Sequence, residues 1–331
     1  MKVTCLQASE CATTGKSIFS LELEYPRIIH SQLLTHRVFS KNSSSSRAVP
    51  VTKMVDQLIT DPAEPIFTGK KAGMSGGEIT QAQADQAMLI HGMAMGTAVQ
   101  AAIMMDELGI HKQNANRYLE PFQNIKIVLT STEWENWDWL RVDADAQPEV
   151  KLLAEMVLDA RESAEVMSLK PGEWHLPYVL RNRDVSGHLG YYIETTKEGD
   201  DKPSYRELSL EQAKDISMSS CGQASYRRLD TSLEKAEDII PKLFNGKKVH
   251  ASPSEHQATP IASKGNIYDW EDGVTHMDRK GALWSGNFKG WIQNRQLLPN
   301  HDAALMKKDE PTNSDDMADA LATAIMGARA G

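Results

Sequence analysis

The sequence contains 331 residues, of which 40% are hydrophobic and 24% are charged, and its formal net charge is −9. This composition predicts a globular protein with one large domain or two modest ones. The acidic balance excludes proteins that coat nucleic acid through a broad basic surface, whereas it allows a small anionic ligand in a local basic pocket.

The amino terminus and the cysteines predict a cytoplasmic protein without a membrane partner. The opening residues lack the charged and then apolar pattern of a signal peptide, and no apolar run approaches the length of a membrane span. The three cysteines, Cys5, Cys11 and Cys221, show no CxxC spacing, so reduced thiols are expected.

The first predicted elements are a strand, a helix and a serine-rich loop. Apolar and polar residues alternate over residues 19–25, which predicts a half-buried strand, and Pro26 suits the first turn of a helix over residues 26–39. Gln32 and His36 lie one turn apart on that helix. The loop contains four serines, at residues 43–46, and ends at Arg47. Its hydroxyls, backbone N–H groups and guanidinium favour a phosphate site, with a plain linker as the alternative.

A long helix is predicted over residues 80–108. Thr80 and Gln83 form a capping box at its start, and Gly109 ends it. Its methionines are expected to pack in a core or a subunit interface. A short helix over residues 112–120 that stops at Pro121 and a strand over residues 125–129 follow.

The remaining elements are mostly helical. Helices are predicted over residues 133–142 and 148–167, and again near residues 210–219 and 232–244. Between them, residues 168–205 are rich in Gly, Pro and charge, with a strand at residues 189–194, and form the candidate boundary. A loop-rich region then extends to Pro299, and an acidic tail over residues 300–331 ends the chain.

Two further patches contain polar residues suited to chemistry. In the stretch from Asn116 to Glu149, arginine, asparagine and carboxylate side chains recur at a spacing that can place them on one helical face, which suits a binding site. The alternative interpretation is a solvated charged helix that tryptophans anchor to the core. The stretch HASPSEHQATP offers His250, Glu255 and His256 as metal ligands. Its spacing is not HExxH, so a structural helix start at a serine is favoured.

The stretch THRVFSKNSSSSR resembles the signature of the flavin-dependent thymidylate synthases, RHRxxSxNxxSxR. The residues on the fixed positions of that signature are His36, Arg37, Ser40, Asn42, Ser45 and Arg47. The second patch resembles the family's downstream block, in which an Arg precedes a Pro by four residues and an N-x4-R-x-D-x-x-A-Q-x-E run follows. The matching residues are Arg117, Pro121, Asn136, Arg141, Asp143, Ala146, Gln147 and Glu149.

The third patch is similar to the family's GHxSPFEH segment, and residues 224–226 resemble the end of its AARVSY segment. Both precede the signature in ordinary members and follow it here, which predicts a circular permutation. The expected division is a signature half at residues 1–167, a permutation linker at 168–210, the relocated amino-terminal block at 211–299 and the tail, all in one compact catalytic domain. The resemblance implies a permuted α/β (α+β) fold with a mixed sheet flanked by long helices, and long versions of this kind look virus-encoded.

The resemblance implies a homotetramer that methylates dUMP to dTMP with FAD as cofactor and NADPH and methylenetetrahydrofolate as co-substrates. Arg141 and Ser45 would lie at the reacting centre, with Ser45 as a nucleotide ligand, because no base beside it could activate its hydroxyl. The dUMP-binding residues would be Gln32, Ser43, Ser44, Ser45, Arg47, Arg117 and Arg141. The FAD-binding residues would be His36, Arg37, Asn136, Ser225, His250 and Glu255.

Several positions depart from the family pattern. Thr35 replaces the first Arg of the signature, Ser43 replaces an acidic residue, Ala48 replaces an aromatic residue, and Asp145 replaces a His. These changes alter groups that contact nucleotide and flavin in the family. Hydroxymethylation of dUMP or dCMP therefore stays open as an alternative reaction, and so does a non-catalytic protein that binds nucleotide or flavin.

Overall fold

A five-stranded sheet lies at the centre of the computed structural model, which describes residues 1–72, 76–195, 202–224, 229–244, 249–262 and 270–302. The strands are β1 (Lys2–Cys11), β2 (Ser17–Pro26), β3 (Ser40–Ser43), β4 (Asn124–Ser131) and β5 (Met167–Leu169), in the order β3-β4-β2-β1-β5. All neighbours are antiparallel except β1 and β5, which run parallel. The expected mixture of helices with a mixed sheet is confirmed.

Eight helices in the described residues flank the sheets. They are α1 (His30–Leu34), α2 (Val51–Thr60), α3 (Gln81–Glu107), α4 (Lys112–Ala115), α5 (Glu135–Arg141), α6 (Pro148–Glu162), α7 (Leu210–Gly222) and α8 (Leu233–Phe244). The alternating strand pattern is confirmed: Leu21, Leu23 and Tyr25 on β2 are buried in one core with Val150 and Leu153 of α6. Burial of this shared apolar face fixes α6 against the sheet.

The predicted helix over residues 26–39 is wrong beyond its first turns. A 3-10 turn at Arg27–Ile29 leads into α1, which ends at Leu34. Turn hydrogen bonds then follow from His36 N to Leu33 O and from Phe39 N to His36 O. The chain has to leave the helix here because β3 begins at Ser40 and pairs with β4.

Two other helix boundaries also differ from the sequence prediction. The helix predicted over residues 112–120 is instead α4 followed by 3-10 turns at Asn116–Tyr118 and Glu120–Phe122, since Pro121 is accommodated within the last of them. The helix predicted to reach residue 167 ends at Glu162, because Met167 pairs with Ser9 of β1 at the sheet edge.

The long helix α3 has the predicted capping box but buries little of its surface. Thr80 accepts from Gln83 N, and Gln83 accepts from Thr80 N. Leu89 and Met93 are each 68% exposed. The expectation that no apolar run approaches the length of a membrane span is wrong for α3, which is long and apolar enough to cross a membrane by length and composition.

The second half of the described chain forms three smaller sheets. Strands β6 (Leu180–Arg183), β7 (Leu189–Glu194) and β8 (Tyr205–Leu208) form one antiparallel sheet. The region predicted as loop-rich up to Pro299 contains short strands instead. They are β9 (Ala258–Pro260), β10 (His276–Met277), β11 (Leu283–Ser285), β12 (Phe288–Lys289) and β13 (Trp291–Gln293), with β10, β11 and β12 in one sheet and β9 paired with β13. Most of the acidic tail lies outside the described residues.

A buried hydrogen-bond chain joins the two halves through the central sheet. It runs through Arg181, Ser9, His175, Ser20, Thr130 and His256, with distances of 2.6, 2.7, 2.8, 2.6 and 2.9 Å between successive side chains. Because Arg181 can only donate, the hydroxyls and imidazoles can all point the same way, which leaves His256 Nδ1 as an acceptor. The burial of both histidines lowers their pKa values, that of His256 to about 3, so both imidazoles are neutral.

The three cysteines are free thiols, as predicted. Cys221 is fully buried, and burial raises its pKa. A buried protonated thiol is a poor nucleophile, so Cys221 is a packing residue.

Candidate active site

The end of α1 turns the His36 side chain inward, against the aromatic residues of the sheet face. The His36 ring stacks on Phe39 at 5.7 Å between centroids and meets the edge of Trp137 at 4.9 Å. Arg141 Nε donates to His36 Nε2 at 3.2 Å. Burial and the neighbouring Arg141 charge lower the pKa of His36 to about 4, so the imidazole is neutral and can accept this hydrogen bond.

His36 and Arg141 line a cavity of about 540 Å³ together with Arg37 and Asn136. The structure thus brings two residues of the signature and two of the downstream block to one place. The Arg37 side chain is exposed, and Trp137 contributes a buried Nε1 donor that has no hydrogen-bond partner in the described residues. The other residues that line this cavity are Thr35, Val38, Phe39, Glu133, Glu135, Leu140 and Trp284.

A row of amide groups leads from Arg141 away from the cavity. Arg141 Nη1 donates to Gln32 Oε1 at 3.5 Å, and Gln32 Nε2 donates to Gln147 Oε1 at 2.5 Å. Gln147 Nε2 donates to the buried Glu149 carboxylate at 3.0 Å, which also accepts from Ile66 N. Gln32, Gln147 and Glu149 therefore orient the Arg141 guanidinium. In the described chain its Nη2 donor makes no hydrogen bond.

The serine-rich loop uses much of its hydrogen-bonding capacity within the protein. Ser44 Oγ accepts from Lys126 N at 3.2 Å, and Ser46 Oγ donates to Glu120 at 2.7 Å. Ser43 ends β3, where it pairs with Ile127 of β4. Residues 44–46 line a second cavity, of about 390 Å³, which also contains Arg27 and Lys126. Both of these cations are paired, Arg27 with Glu120 and Lys126 with Glu22.

Arg47 and Arg117 meet in a third cavity, of about 720 Å³, between α4 and the end of α3. Gln113, Asn114 and Tyr118 add polar groups to its walls, which Met105 and Ile110 complete. Arg117 also pairs with Glu120 at 2.8 Å. The side chain of Arg47 is exposed and makes no hydrogen bond or ion pair with the described residues. Two arginines on one cavity, with neutral donors around them, suit a dianion such as a phosphate.

The residues predicted to bind dUMP are therefore spread over three cavities in one copy of the chain. Arg141 lies at the first, Ser44 and Ser45 at the second, and Arg47 and Arg117 at the third, whereas Gln32 contacts Arg141 but, like Ser43, lines none of these three cavities. Ser45 is exposed, and its Oγ accepts from Arg47 N.

The third sequence patch packs beside β3, the strand within the signature. Arg295 donates to the Glu255 carboxylate, and Gln293 Nε2 donates to both the Glu255 carbonyl and Ser40 Oγ at 3.1 Å. Burial lowers the pKa of the next residue, Lys41, and the nearby Glu255 charge opposes that shift. Glu255 thus lies close to the signature strand, although 215 positions separate it from Ser40.

Glu255 and His250, which are predicted to hold FAD, do not line the first cavity. His250 is exposed and lies just after the described end of α8, where its backbone N donates to Leu243 O. Ser225 lies outside the described residues. The patch itself forms a 3-10 turn at Ser252–Glu255, without the serine side-chain cap that the alternative interpretation predicted.

Sequence reasoning missed the aromatic walls of the first cavity. The predicted tryptophan anchors include Trp137, but Phe39 and Trp284 have no local pattern that distinguishes them from ordinary core residues. Trp284 comes from β11, near the carboxyl end of the described chain, and contact across so long a separation has no local signal.

Comparisons with known proteins give structural neighbours only. No family model matches the sequence, and no curated protein matches it. The chain is similar to the UMP/dUMP methylase PolB from Streptomyces cacaoi bound with 5-Br UMP, with a TM-score of 0.38, 14% identity, and coverage of 48% of this chain and 87% of that one. For the same protein bound with 5-Br dUMP the TM-score is 0.36, with 14% identity and coverage of 48% and 88%.

Proposed function

We propose that this protein is an enzyme that methylates dUMP to dTMP, with methylenetetrahydrofolate as the carbon donor. FAD would be its cofactor, and it supplies a hydride when reduced by NADPH. The observation that carries the proposal is the hydrogen bond from Arg141 to His36. It joins two sequence blocks that resemble separate blocks of the flavin-dependent thymidylate synthases, at a cavity that also contains Arg37 and Asn136.

The donor set at the first cavity fits a flavin. An isoalloxazine ring needs aromatic or apolar walls together with a few hydrogen-bond donors, and its diphosphate needs cations. Phe39 and Trp137 supply the walls, the unpartnered Trp137 Nε1 supplies a donor, and Arg37 supplies an exposed cation. His36, Arg37 and Asn136 would hold the cofactor, with Glu255, His250 and Ser225 as further proposed contacts.

Arg141 is the proposed electrostatic catalyst. Its Nε and Nη1 atoms are used on His36 and Gln32, which fixes the plane of the guanidinium. Its Nη2 can therefore point a charged donor at a carbonyl oxygen of the uracil ring without further reorganisation. Such a preorganised donor stabilises negative charge that develops on the ring during carbon transfer.

The phosphate of the nucleotide is assigned to Arg47 and Arg117. In one copy of the chain these arginines lie in a different cavity from Arg141. We infer that a homotetramer completes the site. The Arg141 cavity of one copy and the Arg47 cavity of another copy would together bind one nucleotide. The exposed apolar surface of α3, which ends beside the Arg47 cavity, supports this assembly.

A circular permutation is part of the proposal. The packing of Glu255 beside Ser40 and Lys41 supports it, since the relocated block then lies next to the signature as it does in ordinary members. Glu255→Ala should lower the fraction of FAD bound in purified protein. Full FAD occupancy in this variant would contradict the permuted assignment.

The function is tested with purified protein, dUMP, methylenetetrahydrofolate, FAD and NADPH. We expect flavin absorption in the protein and dTMP as the product by mass spectrometry. Arg141→Ala should lower kcat by about 10²- to 10³-fold, the loss seen when one such donor is removed. A hydroxymethylated product from dUMP or dCMP would instead support the alternative that the departures at Thr35, Ser43 and Asp145 leave open. Bound FAD without any product would indicate a non-catalytic binder.

A further inference from the structure

The chain from α4 through the two 3-10 turns after it, residues 112–122, carries two sets of side chains. One set recurs at every fourth position and bonds to residues 46–49, where the serine-rich loop ends, and its members are Lys112, Asn116 and Glu120. Lys112 Nζ donates to Ala48 O at 3.0 Å. Asn116 Nδ2 donates to Ser46 O at 2.7 Å and to Val49 O at 2.9 Å. The other set lines the third cavity and consists of Gln113, Asn114, Arg117 and Tyr118. The segment therefore fixes the loop and also forms a wall of that cavity.

Glu120 is the residue of this segment that contacts both the loop and two cations. Its Oε1 accepts from Ser46 Oγ at 2.7 Å, from Arg117 Nη1 at 2.8 Å and from Arg27 Nη2 at 3.1 Å. Burial lowers the pKa of Arg27, the Glu120 charge opposes that shift, and the Arg117 charge adds to it. The two guanidinium groups therefore repel each other, and the carboxylate between them holds them together.

Both arginines of the third cavity depend on this carboxylate. The Arg117 side chain is 53% exposed and forms an ion pair with Glu120. Arg47 directly follows Ser46, so the hydrogen bond from Ser46 to Glu120 fixes the backbone from which the Arg47 side chain extends. A long arginine side chain loses much rotamer freedom when a ligand fixes it, and a guanidinium that is already held loses less on binding.

We infer that Glu120 is a positioning residue of the proposed phosphate site, where it sets the geometry of Arg47 and Arg117 without touching the nucleotide. This inference rests on the proposed function. Glu120 itself lines none of the three cavities. By its charge alone, a carboxylate near the site would weaken the binding of a phosphate. Solvent and the two paired arginines screen that repulsion, whereas the entropy cost of ordering a mobile arginine is not screened, so position should outweigh charge.

Calorimetry with dUMP on the full-length, flavin-loaded protein separates position from charge. Glu120→Asp keeps the charge but shortens the side chain by one methylene, so it should weaken dUMP binding roughly tenfold, because Arg117 and Ser46 are then no longer held together. Glu120→Gln keeps the length and an acceptor oxygen but removes the charge, and it should bind dUMP no more tightly than the wild type. The KM for dUMP should rise in Glu120→Asp while the FAD content stays that of the wild type.

The matched control is Glu107→Asp, the same substitution at an exposed position two residues after Met105 of the cavity wall. Its dUMP affinity should equal that of the wild type. A second comparison tests whether Glu120 acts through Arg117. In protein that already carries Arg117→Ala, Glu120→Asp should weaken dUMP binding by a smaller factor than in the wild type, because the arginine that it holds is absent. An equal factor in both backgrounds would contradict this role.

DUMP binding by Glu120→Asp that equals the wild type, or tighter binding by Glu120→Gln, would overturn the inference. Circular dichroism and the melting temperature show whether Glu120→Asp is folded. If it is not, Ser46→Ala removes one of the hydrogen bonds to Glu120 without a change of charge, and an unchanged dUMP affinity in this variant would overturn the inference instead.

The proposed function is judged separately, by its product. If the wild type forms no dTMP, titration with inorganic phosphate followed by ³¹P NMR compares the same variants, with the same expected order of affinities. Phosphate binding that weakens in Glu120→Asp would then support the positioning role although the proposed reaction has failed. A wild type that binds neither dUMP nor phosphate would overturn both the phosphate site and the role of Glu120.

Discussion

At the scale of single residues, the His36 imidazole shows how a local cation sets a protonation state. His36 is 6% exposed, and its Nε2 faces the Arg141 guanidinium. A protonated imidazole could not accept this hydrogen bond and would repel the arginine. The neutral ring is therefore both the acceptor that orients Arg141 and a flat apolar contact for Phe39 and Trp137.

The pKa of His36 should rise in Arg141→Ala. In the wild type burial and the Arg141 charge hold this pKa at about 4, and removal of the charge leaves burial as the main cause. Titration of the imidazole signals by NMR measures the change. The internal control is His30, whose pKa is also about 4 but is lowered by burial and by Arg27. A His36 pKa that stays the same in the variant would contradict the assigned contact.

Arg47→Ala should weaken dUMP binding by about 1.5–3 kcal/mol, the usual contribution of a hydrogen bond to a charged group. Arg47 is exposed at the third cavity, so its removal leaves no buried charge without a partner and should change stability little. Calorimetry with dUMP on flavin-loaded protein gives the affinity, and the FAD content should be unchanged. Lys53→Ala removes another exposed cation, on α2, and serves as the control. An unchanged affinity for Arg47→Ala would indicate that the serine loop is a linker.

At the scale of elements, α3 has an apolar composition without a core to match it. Ala102 is the one residue of this helix that is fully buried in the described chain, whereas Leu89, Ile90 and Met93 are 66–68% exposed. A monomer rarely exposes so large an apolar surface to water. Burial between copies of the chain would remove it from water and would also bring the Arg47 cavity to the interface.

The protein should be a tetramer in light scattering, and Leu89→Lys should lower its mass. A lysine in the middle of an apolar interface leaves an unpaired charge, which weakens assembly. Gln86→Lys adds the same charge at an exposed polar position nearby and should weaken assembly less. A stable monomer that binds FAD would contradict the proposed assembly. Recovery of the wild type with membranes would instead indicate that α3 enters a membrane, which its length and composition also allow.

At the scale of the whole molecule, the hydrogen-bond chain from Arg181 to His256 ties the predicted linker and the relocated block to the central sheet. Ser9, Ser20, Thr130, His175 and His256 are all fully buried. Buried polar groups are costly unless they are paired, and among the described residues every side chain of this chain is paired, although His256 Nε2 has no partner. These buried bonds favour one arrangement of the parts over others. Its end at His256 lies next to Glu255 in sequence and thus helps to fix the third patch.

The free energy of unfolding should fall as the pH decreases below about 6.5. The folded-state pKa of His256 is about 3 and that of His175 is also lowered, so each binds a proton on unfolding but not in the folded state. The contribution of each histidine is fully present above the unfolded pKa and falls with pH below about 6.5, at about 1.4 kcal/mol for each pH unit; for His256 this loss continues to about pH 3.

Urea denaturation at pH 7.5 and pH 5.5 measures this loss. His256→Gln keeps an acceptor for Thr130 but cannot be protonated, so the difference in stability between the two pH values should be smaller than in the wild type. The exposed His188 provides the control substitution, His188→Gln, which should keep the wild-type difference. The explanation fails if His256→Gln and the wild type lose the same free energy at pH 5.5.

The sequence by itself determined several local elements. Alternation predicted β2 and the capping box predicted α3, because both depend on neighbours within a few positions, where backbone preferences and side-chain periodicity act directly. Flavin and nucleotide chemistry at His36, Arg37, Asn136 and Arg141 was implied by the resemblance of their motifs to those of the flavin-dependent thymidylate synthases. Only the tertiary structure decided that α1 stops at Leu34 and that Trp284 reaches the His36 cavity. Both depend on packing between segments far apart in the chain, and no local pattern records which of many possible contacts buries the most apolar surface.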